Sequence, residues 1–180
     1  MGGLKSSHMK KLLCLSCWLL VFSIFAANEE EETTLTKIGQ AAPEIRVTTL
    51  DGKDFALKEA KGKVVLINFF ATWCGPCMAE MPHLQNQIWS RFKDRNFVVV
   101  AIDREETEPV VKDFQKQHQF GFAIACDPRR GAYSKFATKF IPRNFLINTN
   151  GIIVFQSVGY SEPEFNRLVA EVEKQTAKLH

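Results

Sequence analysis

The sequence NFFATWCGPCMAEMP, residues 68–82, holds two cysteines, Cys74 and Cys77, with only Gly75 and Pro76 between them. Such a pair can be a structural disulfide, half of a metal site, or a pair that exchanges electrons. A zinc site needs four ligands. Outside the N-terminal leader, which holds Cys14 and Cys17, neither a second cysteine pair nor suitably spaced histidines accompany this one. A disulfide that closes so small a loop removes little entropy from the unfolded chain. Redox chemistry is the interpretation that accounts for every position of the motif.

The redox interpretation gives each residue of the motif its own task. Cys74 is expected at the N-terminus of a helix, where unpaired backbone N–H groups and the helix dipole stabilise a thiolate, so it is the nucleophile. Cys77, one turn further in, resolves the mixed disulfide that Cys74 forms with a substrate. Pro76 presets a helical φ, Gly75 lets a partner's backbone approach, and Trp73 offers a flat apolar platform beside the sulfur. These last three are the candidate substrate-binding residues.

The motif lies between a predicted buried strand and a predicted amphipathic helix. The run KVVLINFF at 63–70 is apolar and rich in β-branched residues, which is typical of a strand buried on both faces. Apolar residues recur at helical spacing over 76–92, with a kink expected at Pro82. The cysteines are therefore expected at a strand-to-helix junction.

The rest of the chain continues as alternating strands and helices, which predicts an α/β domain. Before the motif, Asp51-Gly52 predicts the turn of a short lead-in hairpin. After the motif, the predicted elements are a strand at 96–103, a helix at 107–119, a strand at 122–126, a helix at 130–140, a hairpin at 144–159 and a helix at 162–178.

The first 27 residues differ in composition from everything that follows. Lys10 and Lys11 precede a nearly continuous apolar run of 16 residues, after which an acidic segment begins. This pattern is typical of a secretory signal, because a membrane-spanning helix needs about 20 residues. The expected organisation is a signal peptide or N-terminal membrane anchor at 1–27, an acidic linker at 28–37, and one domain at 38–180. An extracytoplasmic location, in the periplasm or envelope, follows from it.

The charge of the chain argues against a nucleic-acid partner. The formal net charge is +3, and the leader contains Lys5, Lys10 and Lys11 without any acid. Removing those three lysines from the 23 basic residues leaves 20, which balance the 20 acidic residues. A neutral domain offers no electrostatic footprint for nucleic acid.

The segment FFATWCGPC after a buried strand resembles the thioredoxin superfamily, and more narrowly the TlpA/ResA-like thiol-disulfide oxidoreductases, which are membrane-tethered or secreted. The narrower resemblance covers residues 38–175 and is carried by GQAAPEI, by the hairpin LDGKDFAL, by GKVVLINFFATWCGPCMAEMP and by an extra helix-strand segment. It implies a thioredoxin-like fold with a central mixed β-sheet flanked by helices, an N-terminal β-hairpin and a central helix-strand insertion. It also implies that FIPRNFLIN is the cis-proline loop, with Pro142 as the cis residue and the Ile141 backbone pairing with a bound substrate strand.

The resemblance further implies a function. Cys74 and Cys77 would form a redox-active disulfide that reduces selected protein disulfides, such as those of apocytochrome c, and is recharged by a membrane electron-donor thiol protein. No metal or organic cofactor is required. Two alternatives stay open: a peroxiredoxin-type peroxidase, which shares the lead-in APEI…LDG and could use Cys74 on hydroperoxides, and a non-catalytic binding module.

Some positions depart from the family pattern. Asn68 stands where thioredoxins proper carry a buried aspartate, and it cannot accept the proton of Cys77. Glu80, three residues beyond Cys77 on the same helix face, is the expected substitute that tunes the thiol pKa, the alternative being a solvated helix residue. Arg143 replaces the small hydroxyl residue common after the cis-proline, which bears on substrate preference. Cys126 is expected to be a small buried residue rather than a third redox thiol.

Overall fold

The computed structural model describes residues 32–177. The expected signal or anchor at 1–27 and most of the acidic linker lie outside the described residues. Contacts divide the chain into Met1–Thr34 and Leu35–His180, and the second unit is the domain described below. Across residues 32–177, no helix is both long and apolar enough to cross a membrane.

The domain begins earlier than Ile38, the first residue expected to be part of it. The Leu35 N–H donates to the carbonyl oxygen of Phe136 at 2.8 Å, and the Thr36 hydroxyl donates to Gln156 at 3.0 Å. These hydrogen bonds join the end of the predicted linker to the domain, because the polar groups of this short segment find partners there.

A five-stranded mixed sheet forms the centre of the domain. Its strand order is β5-β4-β3-β6-β7, with β3, β4 and β5 parallel to one another and β6 and β7 antiparallel to their neighbours. A separate antiparallel hairpin, β1-β2, precedes it. In chain order the elements are β1 Arg46–Thr48, β2 Asp54–Ala56, β3 Val64–Phe70, α1 Gly75–His83, β4 Phe97–Asp103, α2 Glu108–His118, β5 Ala123–Cys126, β6 Arg143–Ile147, β7 Ile153–Val158 and α3 Glu162–Ala177. The thioredoxin-like architecture expected from the resemblance is confirmed.

Strand β3 is the central strand, and all seven of its residues are buried. Its side chains alternate between two apolar layers, because successive residues of a strand point to opposite faces. Leu66 and Phe70 pack in the layer that contains residues of α1, α2 and α3, whereas Ile67 and Phe69 pack in the layer that contains residues of the hairpin and of segment 132–137. A strand covered on both faces needs the continuous apolar run that its sequence has.

The helix predicted over 130–140 is wrong, because this segment contains only the 3₁₀ turn Tyr133–Lys135. The carboxylate of Asp127 accepts the N–H groups of the three residues that precede and begin this turn. Arg130 and Phe140 have φ values of 55° and 66°, which a right-handed helix does not allow. The apolar side chains of the segment still face the sheet, so their pattern resembled that of a helix.

The helix that follows the cysteine motif is irregular where the sequence predicts a kink. After α1, which contains Pro82, the chain continues as a π-helical segment, Leu84–Trp89, and a last α-helical turn, Ser90–Phe92. Proline has no N–H to donate within a helix, so the regular hydrogen-bond pattern is interrupted there. The other predicted strands, the Asn150-Gly151 hairpin and the C-terminal helix are confirmed, with their ends shifted by one or two residues.

Candidate active site

The two cysteines of the motif are joined by a disulfide at the N-terminus of α1, with the sulfur atoms 2.04 Å apart. Strand β3 ends at Phe70, and four residues later Cys74 is the N-cap of the helix, with an extended backbone. The N–H of Cys77 points at the Cys74 sulfur at 3.2 Å. A thiolate formed here on reduction would receive this N–H and the positive end of the helix dipole.

The loop before β6 lies against the outer cysteine. The Ile141–Pro142 peptide bond is cis, as the sequence predicted. The carbonyl oxygen of Ile141 is 3.8 Å from the Cys74 sulfur. Chain segments 67 residues apart in sequence thus meet at the Cys74 sulfur. The structure brings together the cysteine expected to be the nucleophile and the backbone expected to receive a substrate strand.

Arg143, which follows the cis-proline, does not reach solvent. It is 0% exposed, and its Nε donates to the carbonyl oxygen of Lys139 at 2.9 Å. The side chain therefore ties the residue after the cis-proline to the start of the same loop. Burial this complete excludes direct contact with a substrate, so Arg143 can affect substrate preference only through the position of Ile141 and Pro142.

Glu80 is buried in α1, three residues after Cys77, so the interpretation of it as a solvated helix residue is wrong. It is 2% exposed, and its two carboxylate oxygens accept hydrogen bonds from Asn68 at 2.9 Å and Asn144 at 2.6 Å. The same Asn68 amide group donates to Asn144 at 2.9 Å. Burial raises the pKa of Glu80 to about 7, although the two amide hydrogen bonds oppose that rise.

Asn144 completes this cluster, and sequence reasoning missed it. It lies opposite Asn68 in the antiparallel register of β3 and β6, so both amides project from neighbouring strands at one level. The sequence signal was a polar residue inside the apolar strand RNFLI. Asn144 lies two residues after the cis-proline, and Asn68 lies two residues before the end of β3. A buried amide in a core strand indicates a buried polar partner.

Two aromatic side chains are exposed around the motif. Trp73 is 60% exposed, and the Arg104 guanidinium lies 5.7 Å from the centre of its ring. Phe140, which sequence reasoning did not single out, is 40% exposed just before Ile141. Its positive φ is uncommon for a bulky residue, and the Tyr133 hydroxyl donates to its carbonyl oxygen at 2.8 Å. Gly75 and Pro76 are also exposed.

Cys126 is the third cysteine of the domain and lies away from the disulfide, at the end of β5. It is partly buried, and burial raises the pKa of its thiol to about 12, with Asp103 and Glu108 adding to the rise. A neutral thiol is a poor nucleophile. Within residues 32–177, no group of three or more His, Cys, Asp or Glu side chains is arranged to hold a metal ion.

Comparisons with known proteins agree with this fold. The model of the AhpC/TSA family matches residues 38–156. A thiol-disulfide oxidoreductase ResA of Bacillus cereus is 35% identical over 153 residues, which cover 85% of this chain and 86% of the relative. ResA of Bacillus subtilis is 31% identical over 143 residues, covering 79% and 76%.

Solved structures extend the comparison. A solution structure from Bacteroides thetaiotaomicron superposes with a TM-score of 0.77 at 35% identity, covering 81% of this chain and 93% of that one. A crystal structure of a thiol:disulfide interchange protein of the thioredoxin family from Chlorobium tepidum TLS gives a TM-score of 0.59 at 30% identity, covering 76% and 98%. The fold and the Cys-x-x-Cys site define a thioredoxin-like protein. The chain belongs to the AhpC/TSA family and, within it, to its ResA-like members.

Proposed function

We propose that this protein is an extracytoplasmic thiol-disulfide oxidoreductase that reduces selected protein disulfides through Cys74 and Cys77. The observation that carries the proposal is the Cys74–Cys77 disulfide at the N-terminus of α1, beside the carbonyl oxygen of Ile141. The ResA relatives are named thiol-disulfide oxidoreductases, which supports the same reaction.

The reaction is a two-electron exchange between two sulfur pairs. In the reduced protein, the Cys74 thiolate attacks one sulfur of a substrate disulfide, forms a mixed disulfide and releases the other substrate sulfur as a thiolate that takes up a proton. Cys77 then loses its proton and attacks Cys74, which releases the second substrate thiol. The substrate gains two electrons and two protons, and the protein ends with the intramolecular disulfide. A membrane electron-donor thiol protein returns it to the dithiol.

The surroundings of Cys74 favour Cys74 as the nucleophile and Cys77 as the resolving cysteine. The Cys77 N–H at 3.2 Å and the helix dipole stabilise a thiolate on Cys74, the N-cap residue, whereas Cys77 lies one turn further into the helix. In the oxidised protein both cysteines are buried, Cys74 being 4% and Cys77 1% exposed. A substrate segment lying along Ile141 would pair with its backbone, in the way that an extended peptide adds to an exposed strand edge. Trp73, Gly75 and Pro76 would form the surface beneath that segment.

In this proposal, Glu80 controls the apparent pKa of the two thiols. Its carboxyl is buried three residues after the resolving cysteine on the same helix, and its pKa of about 7 makes its ionisation change near neutral pH. The ionised carboxylate disfavours a nearby thiolate, because two anions in a buried site repel each other. Glu80 would therefore raise the apparent pKa of the thiols and limit attack on arbitrary disulfides until a docked partner changes the local field.

The secretory pattern of the leader supports a location outside the cytosol, where disulfides persist and selective reduction has targets. Disulfides of apocytochrome c are a substrate class that fits such a reductant. The alternative of a peroxidase uses the same Cys74 but requires it to attack a hydroperoxide, for which the resolving Cys77 is not needed at the first step.

The proposal is tested by comparing two substrates. The purified protein is reduced, and its oxidation is followed with an insulin disulfide and with hydrogen peroxide under the same conditions. We expect rapid turnover of the insulin disulfide and a much slower reaction with peroxide. Faster reaction with peroxide would make the protein a peroxidase, and no reaction with either would favour a binding module.

A further inference from the structure

The segment that leads into Cys74 is held by a carboxylate from another part of the chain. The backbone N–H of Thr72 donates to one oxygen of Glu106 at 2.6 Å, and the Thr72 hydroxyl donates to the other at 2.8 Å. Glu106 lies in the loop between β4 and α2. One carboxylate thus binds the two hydrogen-bond donors of the residue two positions before Cys74.

A second carboxyl lies next to this contact and lacks a donor for one of its oxygens. Asp103, the last residue of β4, is 0% exposed. Its Oδ1 accepts the N–H groups of Glu105 at 3.0 Å and Glu106 at 2.6 Å, whereas its buried Oδ2 has no hydrogen-bond partner among the donors of the described residues. A buried carboxylate oxygen without a donor costs free energy.

A proton explains the orphaned oxygen. Asp103 and Glu106 are neighbours: the Glu106 backbone N–H donates to Asp103 Oδ1, and each carboxyl affects the ionisation of the other. Ionised carboxylates only accept hydrogen bonds, so two of them can bond only when a proton lies between them. If Asp103 carries that proton, it becomes the donor, and both groups are satisfied.

We propose that Asp103 and Glu106 share one proton and act together as positioning residues, holding the segment Thr72–Trp73 so that Cys74 is presented to its substrate. This inference rests on the proposed function, because it assumes that Cys74 is the attacking residue. It gives the β4–α2 loop, which lies outside the cysteine motif, a role in the reaction.

The ionisation of the pair agrees with its geometry. Burial raises the pKa of Asp103 to about 8, and the hydrogen bond with Glu106 adds to that rise. Burial also acts to raise the pKa of Glu106, but hydrogen bonds with Asp103 and Thr72 outweigh it and lower that pKa. The proton therefore belongs to Asp103 at neutral pH, and the negative charge belongs to Glu106. Above about pH 8 both groups are ionised, they repel, and the hold on Thr72 weakens.

Other charged and titratable groups surround the pair on every side. Arg104 lowers the pKa of Asp103, and it also lies over the rings of Trp73 and Tyr133. Across the sheet, Cys126 is the register partner of Asp103 in β5. The remaining groups are Glu105 in the same loop, Arg130 paired with Glu105, and Glu108 and Lys112 of α2, both of which act on Cys126. Because Arg104 links Asp103 to the exposed indole, Trp73 fluorescence should report the state of the pair.

The first experiment follows Trp73 fluorescence in the full-length oxidised protein, in which Cys74 and Cys77 do not titrate. A pH titration of wild-type protein, with Trp73→Phe as the background, should show a transition near pH 8. Asp103→Asn should abolish it, because the amide keeps a donor for Glu106 at every pH. Glu80→Gln should keep it, and so should the surface control Asp113→Asn. A wild-type protein without this transition, or a transition that survives in Asp103→Asn, overturns the proton-sharing pair.

The second experiment measures kcat/KM for reduction of an insulin disulfide. Thr72→Val and Glu106→Gln should each lower it about tenfold at pH 7, which corresponds to the loss of one hydrogen bond to a charged group. Asp103→Asn should flatten the part of the pH profile above about pH 8, and thermal unfolding should show that each variant is folded. If Thr72→Val and Glu106→Gln stay within about twofold of wild type, the pair is structural and its positioning role is wrong. A Cys74→Ser variant that still reduces insulin would instead refute the proposed function, whatever the fluorescence shows.

Discussion

Two buried carboxyl groups, Glu80 in α1 and Asp103 at the end of β4, differ in the groups that hydrogen-bond to them. Glu80 receives hydrogen bonds from the amides of Asn68 and Asn144, which are neutral at every pH. Asp103, at the start of the β4–α2 loop, has one buried oxygen without a donor, and in our proposal it carries the proton that it shares with Glu106. An amide-bound carboxyl can gain or lose its proton without losing its partners, whereas a carboxyl-bound one cannot. The first is suited to proton exchange with thiols, and the second to holding structure.

This comparison assumes that both carboxyls act on one nucleophile, so the largest expected effect comes from removing it. We expect Cys74→Ser to abolish reduction of an insulin disulfide, because no other thiol at the site can start the exchange. The rate of insulin reduction with a chemical reductant as electron source measures this. The matched change Cys126→Ser serves as the control. Activity that persists in Cys74→Ser would mean that neither carboxyl acts on catalysis through Cys74.

The next effect concerns stability against pH in the oxidised protein. The pKa of Glu80 rises from 4.5 to about 7 on folding, so its stabilising contribution is complete below about pH 4.5 and is lost as pH rises through 7. The loss is on the order of 3 kcal/mol in the free energy of unfolding. We expect Glu80→Gln to remove this part of the pH dependence, as measured by urea unfolding between about pH 4.5 and 8.

The pH dependence of stability that remains in Glu80→Gln reports on Asp103. The pKa of Asp103 is also raised, from 3.8 to about 8, so its stabilising contribution is lost over a window that ends at higher pH. This remaining pH dependence should disappear only when Asp103→Asn is added to Glu80→Gln. A single Glu80→Gln change that leaves the slope of wild type would contradict a buried, protonatable Glu80.

A smaller effect is expected on the reactivity of the reduced thiol. Glu80→Gln removes an anion beside the thiols, so it should lower the apparent pKa of Cys74 and speed its alkylation by iodoacetamide at pH 7 by up to about tenfold. The couple should also shift toward a more oxidising potential, because the reduced form is stabilised. The exposed-site change Glu173→Gln should alter neither quantity. If rate and potential both equal those of wild type, Glu80 does not tune the thiols.

The smallest effect is expected at Cys126, although it lies opposite Asp103 in the sheet. Its pKa of about 12 keeps the thiol neutral, and a serine can occupy the same volume. We expect Cys126→Ser to leave insulin reduction within about twofold of wild type and stability within about 0.5 kcal/mol. A loss of turnover in a variant with unchanged stability would make Cys126 a third redox residue.

The sequence predicted the sheet well because each core strand is a long apolar run with a turn or motif at its end. It predicted the cis-proline loop because the family resemblance aligned Pro142 before a strand. It did not predict the 127–140 segment, where one carboxylate, Asp127, replaces helical hydrogen bonds with contacts to backbone N–H groups. Side-chain capping of this kind leaves the apolar pattern unchanged and so leaves no periodic signal.

The candidate site was predicted in the parts that are local in sequence. The cysteines and Glu80 fall within seven residues, so helix geometry relates them directly. Asn144 and Glu106 join the site only through the sheet register and the β4–α2 loop, which bring together residues 34 to 76 positions apart. Contacts of this range depend on the completed fold, and a single sequence does not reveal them.

The most direct test of the account is to trap the mixed disulfide. The Cys77→Ser and Cys74→Ser variants are each reduced, mixed with an excess of a cystine-containing peptide, and analysed by mass spectrometry without a reductant. We expect Cys77→Ser to accumulate a covalent adduct on Cys74, because the residue that resolves it is absent. We expect Cys74→Ser to form almost no adduct. An adduct that forms mainly through Cys77, in the Cys74→Ser variant, would contradict the assignment of nucleophile and resolving cysteine.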